Sequence, residues 1–190
     1  MPRWEPDARE RLVVAALHLF TERGYDNTTV AEIADRAGLT KSTFFRHFTD
    51  KREVLAAGQE TLSRLLADGI TQSPKDARPL DAVAGGLINA ANAMTPFNRE
   101  LGPRLAAVIS ANAELQARDA LKRVGMAAAM ADALRARGVE QSVAIAAAEL
   151  GVLAFKESFA IWITDDNVRE LGDLALESLD RLRLAITQLG

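Results

Sequence analysis

Residues 29–51, Thr-Val-Ala-Glu-Ile-Ala-Asp-Arg-Ala-Gly-Leu-Thr-Lys-Ser-Thr-Phe-Phe-Arg-His-Phe-Thr-Asp-Lys, decide how the chain is read. Thr29 followed three residues later by Glu32 has the spacing of a capping box, which opens a helix by satisfying two free backbone amides reciprocally. Val30, Ile33, Ala34 and Ala37 recur at the i, i+3, i+4, i+7 spacing of one buried helical face. Gly38 then ends the helix, because glycine enters the left-handed backbone region without steric cost. Leu39 fills the turn, and the Thr40 hydroxyl is placed to cap a second helix. In that helix Phe44 and Phe48 lie one turn apart and face inward, which leaves Lys41, Ser42, Thr43, Phe45, Arg46 and His47 for the other sides. Helix, glycine turn and polar second helix make a helix-turn-helix, whose second helix lies in the DNA major groove. An ordinary corner of an all-helical domain has the same outline, so this stretch alone leaves both readings open.

The flanks extend the pattern. Upstream, a helix is expected from about Asp7 to Arg23, with Leu12, Ala16, Leu19 and Phe20 as its apolar stripe and Gly24 as its stop. Downstream, Asp50 and Glu53 repeat the capping-box spacing ahead of a helix from Lys51 to about Ile70, in which Leu55, Leu62, Leu65, Leu66 and Gly69 share a face. The run from Arg9 to Leu55 resembles the DNA-binding domain of the tetracycline-repressor (TetR) family. The resemblance rests on Ala16 and Phe20, Gly24-Tyr25, Thr28-Thr29-Val30, Ile33-Ala34, Ala37-Gly38-Leu39, Thr43-Phe44-Phe45, His47-Phe48, and Lys51 with Leu55. It covers about a quarter of the chain. It implies that Lys41, Ser42, Thr43 and Phe45 face the groove and that Thr29, Thr40, His47 and Lys51 lie near the phosphates. The family usually has tyrosine where this chain has Phe45, so a phosphate contact from that hydroxyl is absent.

At 190 residues, 48% hydrophobic and 26% charged, the chain has the composition of an ordinary globular protein. Frequent alanine and few aromatics favour helix. No apolar run is long enough to span a membrane, and the first residues lack the apolar stretch of a signal peptide, so a cytoplasmic protein is expected. There is no cysteine, which excludes disulfides and thiolate metal sites. The net charge of −3 does not favour DNA; residues 1–56 hold 9 Lys/Arg against 9 Asp/Glu, and the remainder 14 against 17. Attraction to phosphate must therefore be local, from Arg3, Lys41, Arg46, Lys51, Arg52 and the helix N-termini at Thr29, Thr40 and Asp50. Asp50 is a cost at such a terminus. Arg3 and Trp4 belong either to an arm along the DNA or to a disordered end.

Beyond residue 70 the pattern remains helical. Residues 71–79 have turn composition. A helix over about 80–94 contains Gly85-Gly86, which signals a close backbone approach, a soft point beside a cavity, or tight helix packing. Pro96-Phe97 is expected to end it and Gly102-Pro103 to begin another, through Ser110. Asn112 caps a helix to Arg137, with Gly138 as its stop. Met126 and Met130 within it are i, i+4 neighbours that suit either a core or an adaptable binding surface. The helix over 140–163 carries two apolar stripes, Ile145, Ala148, Val152, Phe155, Phe159 and Trp162, and Val143, Ala147, Leu150, Ala154 and Ile161. Thr164-Asp165-Asp166 is expected to cap a last helix bearing Leu171, Leu174, Ala175, Ser178, Leu182 and Ile186. The result is an all-α chain of about nine helices: a helix-turn-helix domain over 1–55 and a helical effector-binding and dimerisation domain over 56–190.

No active site stands out. His18 and His47 have no metal-binding spacing, phosphate-binding glycine motifs are missing, and neither a catalytic residue, a cofactor nor a metal is expected. Glu157 is either an acid in a pocket or half of a salt bridge. Apolar surface on the last two helices beyond what one subunit covers suits a two-fold dimer, and the resemblance implies that these helices pair with their mates as a four-helix bundle. The expected interface residues are Leu150, Ala154, Ile161, Leu171, Leu174, Ser178, Leu182 and Ile186. The expected effector cavity is mostly apolar, with Met94, Phe97, Met126, Met130, Phe155, Phe159 and Trp162 as walls and Asn92 and Glu157 as polar anchors. The function so reached is a dimeric regulator, by resemblance a repressor, on a near-palindromic double-stranded operator and released by a small molecule. A constitutive DNA-binding dimer, or an all-helical enzyme or carrier, are the alternatives.

Overall fold

The computed structural model describes residues 8–56 and 59–188, with the side chains of 55–60 outside the description. Among the described residues there are ten helices and no strand: α1 (Ala8–Arg23), α2 (Val30–Arg36), α3 (Lys41–His47), α4 (Glu53–Ala56), α5 (Gln59–Gln72), α6 (Pro79–Asn92), α7 (Pro96–Ser110), α8 (Ala113–Ala136), α9 (Gln141–Trp162) and α10 (Leu171–Thr187). Helices α4 and α5 fall in the single helix expected over 51–70. The link between them, the Leu55 side chain and the arm with Arg3 and Trp4 lie outside the described residues. The chain divides into two compact units, Met1–Gly58 with Glu100–Asp119 and Gln59–Arg99 with Ala120–Gly190.

In the first unit the apolar stripe of α1 (Leu12, Ala16, Leu19, Phe20) packs with Ile33 and Ala34 of α2 and with Phe44 and Phe48 at α3. Val54 joins them, and so do Val108 and Leu115 from much later in the chain. Phe44, Leu12 and Ile33 have no exposed surface, so three short helices that are marginal in isolation are held by a shared core.

The second unit has a core richer in alanine and includes the long helix α9. Its core takes Leu62, Leu66 and Ile70 from α5, Val83, Leu87 and Ala90 from α6, Met126, Met130 and Leu134 from α8, and Ala148, Val152, Phe155 and Trp162 from α9; α10 adds Leu171, Leu174 and Leu179. The two glycines of α6 mark tight helix packing. A Cβ on Gly69 would lie 2.5 Å from the Gly85 carbonyl oxygen and 2.7 Å from Gly86 Cα, so α5 and α6 meet backbone to backbone. Asn89 ties the same pair by donating from Nδ2 to the Leu65 carbonyl at 2.7 Å.

Two helix starts differ from expectation. Helix α7 begins at Pro96 and runs through Pro103 without a break. Asn98 Oδ1 accepts from the Thr95 backbone amide and hydroxyl, both at 2.9 Å, which anchors the first turn six residues earlier than the Gly-Pro pair suggests. Helix α10 starts at Leu171, after Glu170, and takes no cap from Thr164-Asp165-Asp166. Asn167 organises this connection instead: its Nδ2 donates to the Arg169 carbonyl at 2.9 Å, and its Oδ1 accepts from the Arg169 amide at 3.1 Å. Asn112 does cap α8, accepting the Leu115 amide at 3.1 Å.

Candidate nucleic-acid interface

The bend between α2 and α3 is fixed by local hydrogen bonds. Thr29 Oγ1 accepts the Glu32 amide at 3.3 Å and Glu32 Oε2 accepts the Thr29 amide at 2.8 Å, a complete capping box. Gly38 has φ +66°. Its amide donates to the Asp35 carbonyl and that of Leu39 to the Ala34 carbonyl, both at 2.9 Å, which closes the C-terminus of α2 as a Schellman turn. The Arg11 guanidinium, reaching across from α1, adds a bond to the Ala37 carbonyl. Thr40 Oγ1 then accepts the Thr43 amide at 3.1 Å and opens α3. At the next turn the box is shared out: Asp50 Oδ1 accepts the Glu53 amide at 2.9 Å, whereas Glu53 reaches back to Thr49, accepting from its hydroxyl at 2.7 Å.

Helix α3 shows two chemistries. Phe44 is wholly buried, and Phe48 just beyond the helix is nearly so. Lys41, Ser42, Phe45, Arg46 and His47 are exposed and Thr43 half-buried, with Thr29 and Thr40 exposed beside them. Among the described residues neither Lys41 nor Arg46 pairs with a carboxylate, while three nearby arginines do. Arg36 holds Glu22 with two bonds of 2.6 and 2.7 Å, Arg23 pairs with Glu32 at 3.0 Å, and Arg52 bridges Asp50 and Glu114 at 2.7 and 3.2 Å. Lys41 and Arg46 therefore keep their charge uncompensated on α3. The Asp50 charge is also answered. Burial alone would raise its carboxyl, but the Arg52 guanidinium and the Glu53 and Arg52 amides outweigh it and hold it below the usual range. Arg46 is the exposed cation missing from the residues that the family resemblance puts on the DNA. Its signal was its place on the polar side of α3.

Lys51 is occupied within the unit. Its Nζ donates to the carbonyls of Tyr25 at 2.8 Å and Thr28 at 3.0 Å and lies 4.3 Å from the centre of the Tyr25 ring. It clamps the turn that leads into α2. Burial, with the negative charge of Glu114 next, pushes the Tyr25 hydroxyl up to about 12.

In the second unit the expected effector residues divide. Met126, Met130, Phe155 and Trp162 are buried in the core, and any Cβ on Gly151 would collide with Met130 Cε. Phe155 and Phe159 stack at 5.9 Å, and Phe159 meets Trp162 at 5.7 Å. Met94 and Phe97 are half-buried and Asn92 is exposed. Glu157 stands apart from these walls: its Oε2 accepts from Ser178 Oγ at 2.6 Å and pairs with Arg181 at 3.3 Å, and it lines a groove with Ile161, Leu182 and Ala185. The expected interface residues divide as well. Ala154, Leu171, Leu174 and Ser178 are buried inside the subunit, Leu150 and Leu182 are half-buried, and Ile161 and Ile186 are exposed. Exposed Val143, Ala146 and Leu153 of α9, the last two outside the expected stripes, continue the outward apolar seam.

Comparison with known proteins agrees with this geometry. Residues 12–57 match the family described as bacterial regulatory proteins, tetR family. The transcriptional regulator TcmR of Streptomyces glaucescens is 35% identical over 77 residues, 40% of this chain and 34% of that protein. The transcriptional activator FasR of Mycolicibacterium smegmatis is 37% identical over 73 residues, 38% of this chain and 32% of that protein. The matched stretch is thus about a third of the length of these curated relatives. Over the whole chain the fold is that of SmeT, the repressor of the Stenotrophomonas maltophilia multidrug efflux pump SmeDEF; the SmeT–triclosan complex superposes with a TM-score of 0.59 at 21% identity, covering 95% of this chain and 91% of that one. Residues 12–57 thus carry a helix-turn-helix domain of the kind found in the tetR family of bacterial regulatory proteins, and the chain shares its all-helical fold with SmeT.

Proposed function

We propose that the protein is a transcriptional repressor that binds a near-palindromic operator as a homodimer and leaves it when a small, mostly apolar effector binds. The observation that carries this reading is the outer face of α3, where Lys41 and Arg46 keep their charge free while nearby Arg23, Arg36 and Arg52 are paired with carboxylates. Free donors on the second helix of a helix-turn-helix fit base edges and phosphates. Residues 1–55 act as the DNA-binding domain, with Thr29, Thr40 and His47 near the phosphates, and 56–190 as the effector-binding and dimerisation domain. The protein works in the cytoplasm, where its operator is.

The dimer reading is supported by the seam of Val143, Ala146, Leu150 and Leu153 along α9, at alternating spacings of three and four residues, continued by Ile161 and by Leu182, Ala185 and Ile186 of α10. An exposed apolar stripe at that spacing pairs with its own copy across a two-fold axis. The effector reading is supported by the aromatic row Phe155, Phe159 and Trp162 and by analogy with SmeT, a protein of the same fold that holds triclosan. A tenfold release from DNA needs only about 1.4 kcal/mol of coupling.

A gel-shift with the DNA upstream of the protein's own gene tests the reading, run alongside sedimentation of the free protein. The expected results are a dimer and a shifted band that weakens steeply with salt. Ile161→Glu, at an exposed position, gives monomers of unchanged helix content that lose tight binding. A monomeric variant with undiminished operator affinity overturns the dimer reading.

A further inference from the structure

Every exposed side chain of α3 except one can donate a hydrogen bond. The exception is Phe45, 50% exposed in the middle of the reading face. Its ring is held from two directions. It meets the buried Phe44 ring edge-on, at 5.5 Å and 83°, and the Lys41 ammonium sits 5.9 Å from its centre. Phe44 belongs to the core and has no exposed surface, so Phe45 stands outward on a fixed base. A ring positioned before binding loses little freedom when it is covered, which favours its use as a contact.

We propose that Phe45 reads the C5-methyl group of a pyrimidine in the operator, so that thymine and 5-methylcytosine are accepted at one position of each half-site while uracil and cytosine are disfavoured. The proposal rests on α3 entering the major groove. There the apolar feature that base edges present is the thymine methyl, and 5-methylcytosine carries the same group at the same ring atom. A phenyl ring gains nothing from a phosphate oxygen, and it cannot bond to the N7, O6, N6 or N4 atoms that tell the other bases apart. Lys41, one turn earlier and held beside the ring, donates to guanine O6 or N7 on an adjacent base pair. Lys41 and Phe45 together specify a guanine next to a methylated pyrimidine. Burying one methyl group corresponds to about fourfold in affinity per half-site, or about fifteenfold for a duplex altered in both.

The test begins with selection of the tightest duplexes from a random library by the full-length protein. The selected duplex is then resynthesised with each symmetric pair of thymines replaced by uracil, a change that removes the methyl groups alone. One pair is expected to weaken binding about fifteenfold; cytosine at that pair weakens it further, and 5-methylcytosine recovers part of the loss over cytosine. Phe45→Ala, at an exposed position, keeps the helix content and melting temperature but binds the thymine and uracil duplexes alike. Phe45→Leu, which restores apolar bulk, recovers part of the discrimination. The proposal is overturned if no uracil replacement weakens binding, or if Phe45→Ala discriminates thymine from uracil as well as the parent does. Either of those results leaves the regulator reading standing, because a sequence has still been selected. Failure to select any duplex overturns both.

Discussion

The two units solve the same packing problem with different materials. The first uses large aromatic anchors (Phe20, Phe44, Phe48) and side-chain caps at the starts of its short helices α2 and α3. The second has a core rich in alanine, and α5 and α6 meet through Gly69, Gly85 and Gly86 with no side chain between them. A fastened unit keeps its outer face rigid, as reading base edges requires. A unit built on close backbone contact between α5 and α6 has no room for an added side chain at that contact. The comparison predicts that steric insertions are most harmful in the second unit and that lost hydrogen bonds are most harmful in the first.

The largest effect is expected from Gly86→Leu. A Cβ there would lie 2.6 Å from the Leu66 carbonyl oxygen, and the rest of the side chain has nowhere to go. Overpacking against backbone should cost about 3 kcal/mol, seen as an early loss of the second unit in a two-step denaturant melt. If Gly86→Leu melts like the parent, the glycine contact is not what joins α5 to α6.

Next is a contrast within the first unit. Lys51→Ala removes donors from the Tyr25 and Thr28 carbonyls and the cation from the Tyr25 ring, and should cost about 2 kcal/mol of stability. Arg46→Ala has no such partner to lose. It should leave the melting temperature unchanged, weaken DNA binding, and reduce the salt slope of the dimer by about 2, one contact in each half-site. If the two variants exchange these behaviours, the division of cations into clamp and contact is wrong.

Thr29→Ala removes one side of the capping box and should cost about 1 kcal/mol, measured by thermal melting, with the melting temperature of the second unit unmoved. Smallest is the effect of acid. The Thr29 hydroxyl and amide hold the Glu32 carboxyl below its usual range, and the Thr49 amide and hydroxyl do the same for Glu53. Groups with lowered folded values contribute stability above their unfolded values and lose it as pH falls through the folded ones. The first unit should therefore soften as pH drops below about 4.5, and Thr29→Ala should flatten that dependence.

How much was legible in the chain follows the range of the interactions. Thr29 with Glu32, Gly38, Thr40 and the Phe44–Phe48 pair act over three to five residues, so spacing alone exposes them. The role of Lys51 was hidden because its partners are backbone carbonyls 23 and 26 residues upstream, and a carbonyl has no residue identity to read. Val108 and Leu115 were missed as members of the first core for the same reason of distance. In α9 nearly every face is apolar, so periodicity picks out stripes without saying which one points outward. Ile145 sits in a stripe with buried Ala148, Val152, Phe155 and Trp162 yet is 48% exposed, while Ala154 sits in the other and is fully buried. The methionines Met126 and Met130 fit core and cavity equally well as sequence, and the fold puts them in the core.

Hydroxyl-radical footprinting of the selected operator, with the protein-to-duplex ratio measured on the same samples, tests the central claim most directly. The account predicts two protomers per duplex and two protected half-sites related by a two-fold axis, their centres roughly 34–36 Å apart or a multiple of that, with both footprints weakened together in Arg46→Ala. A single unbroken site saturated by one protomer, or a footprint untouched by changes on α3, would contradict it.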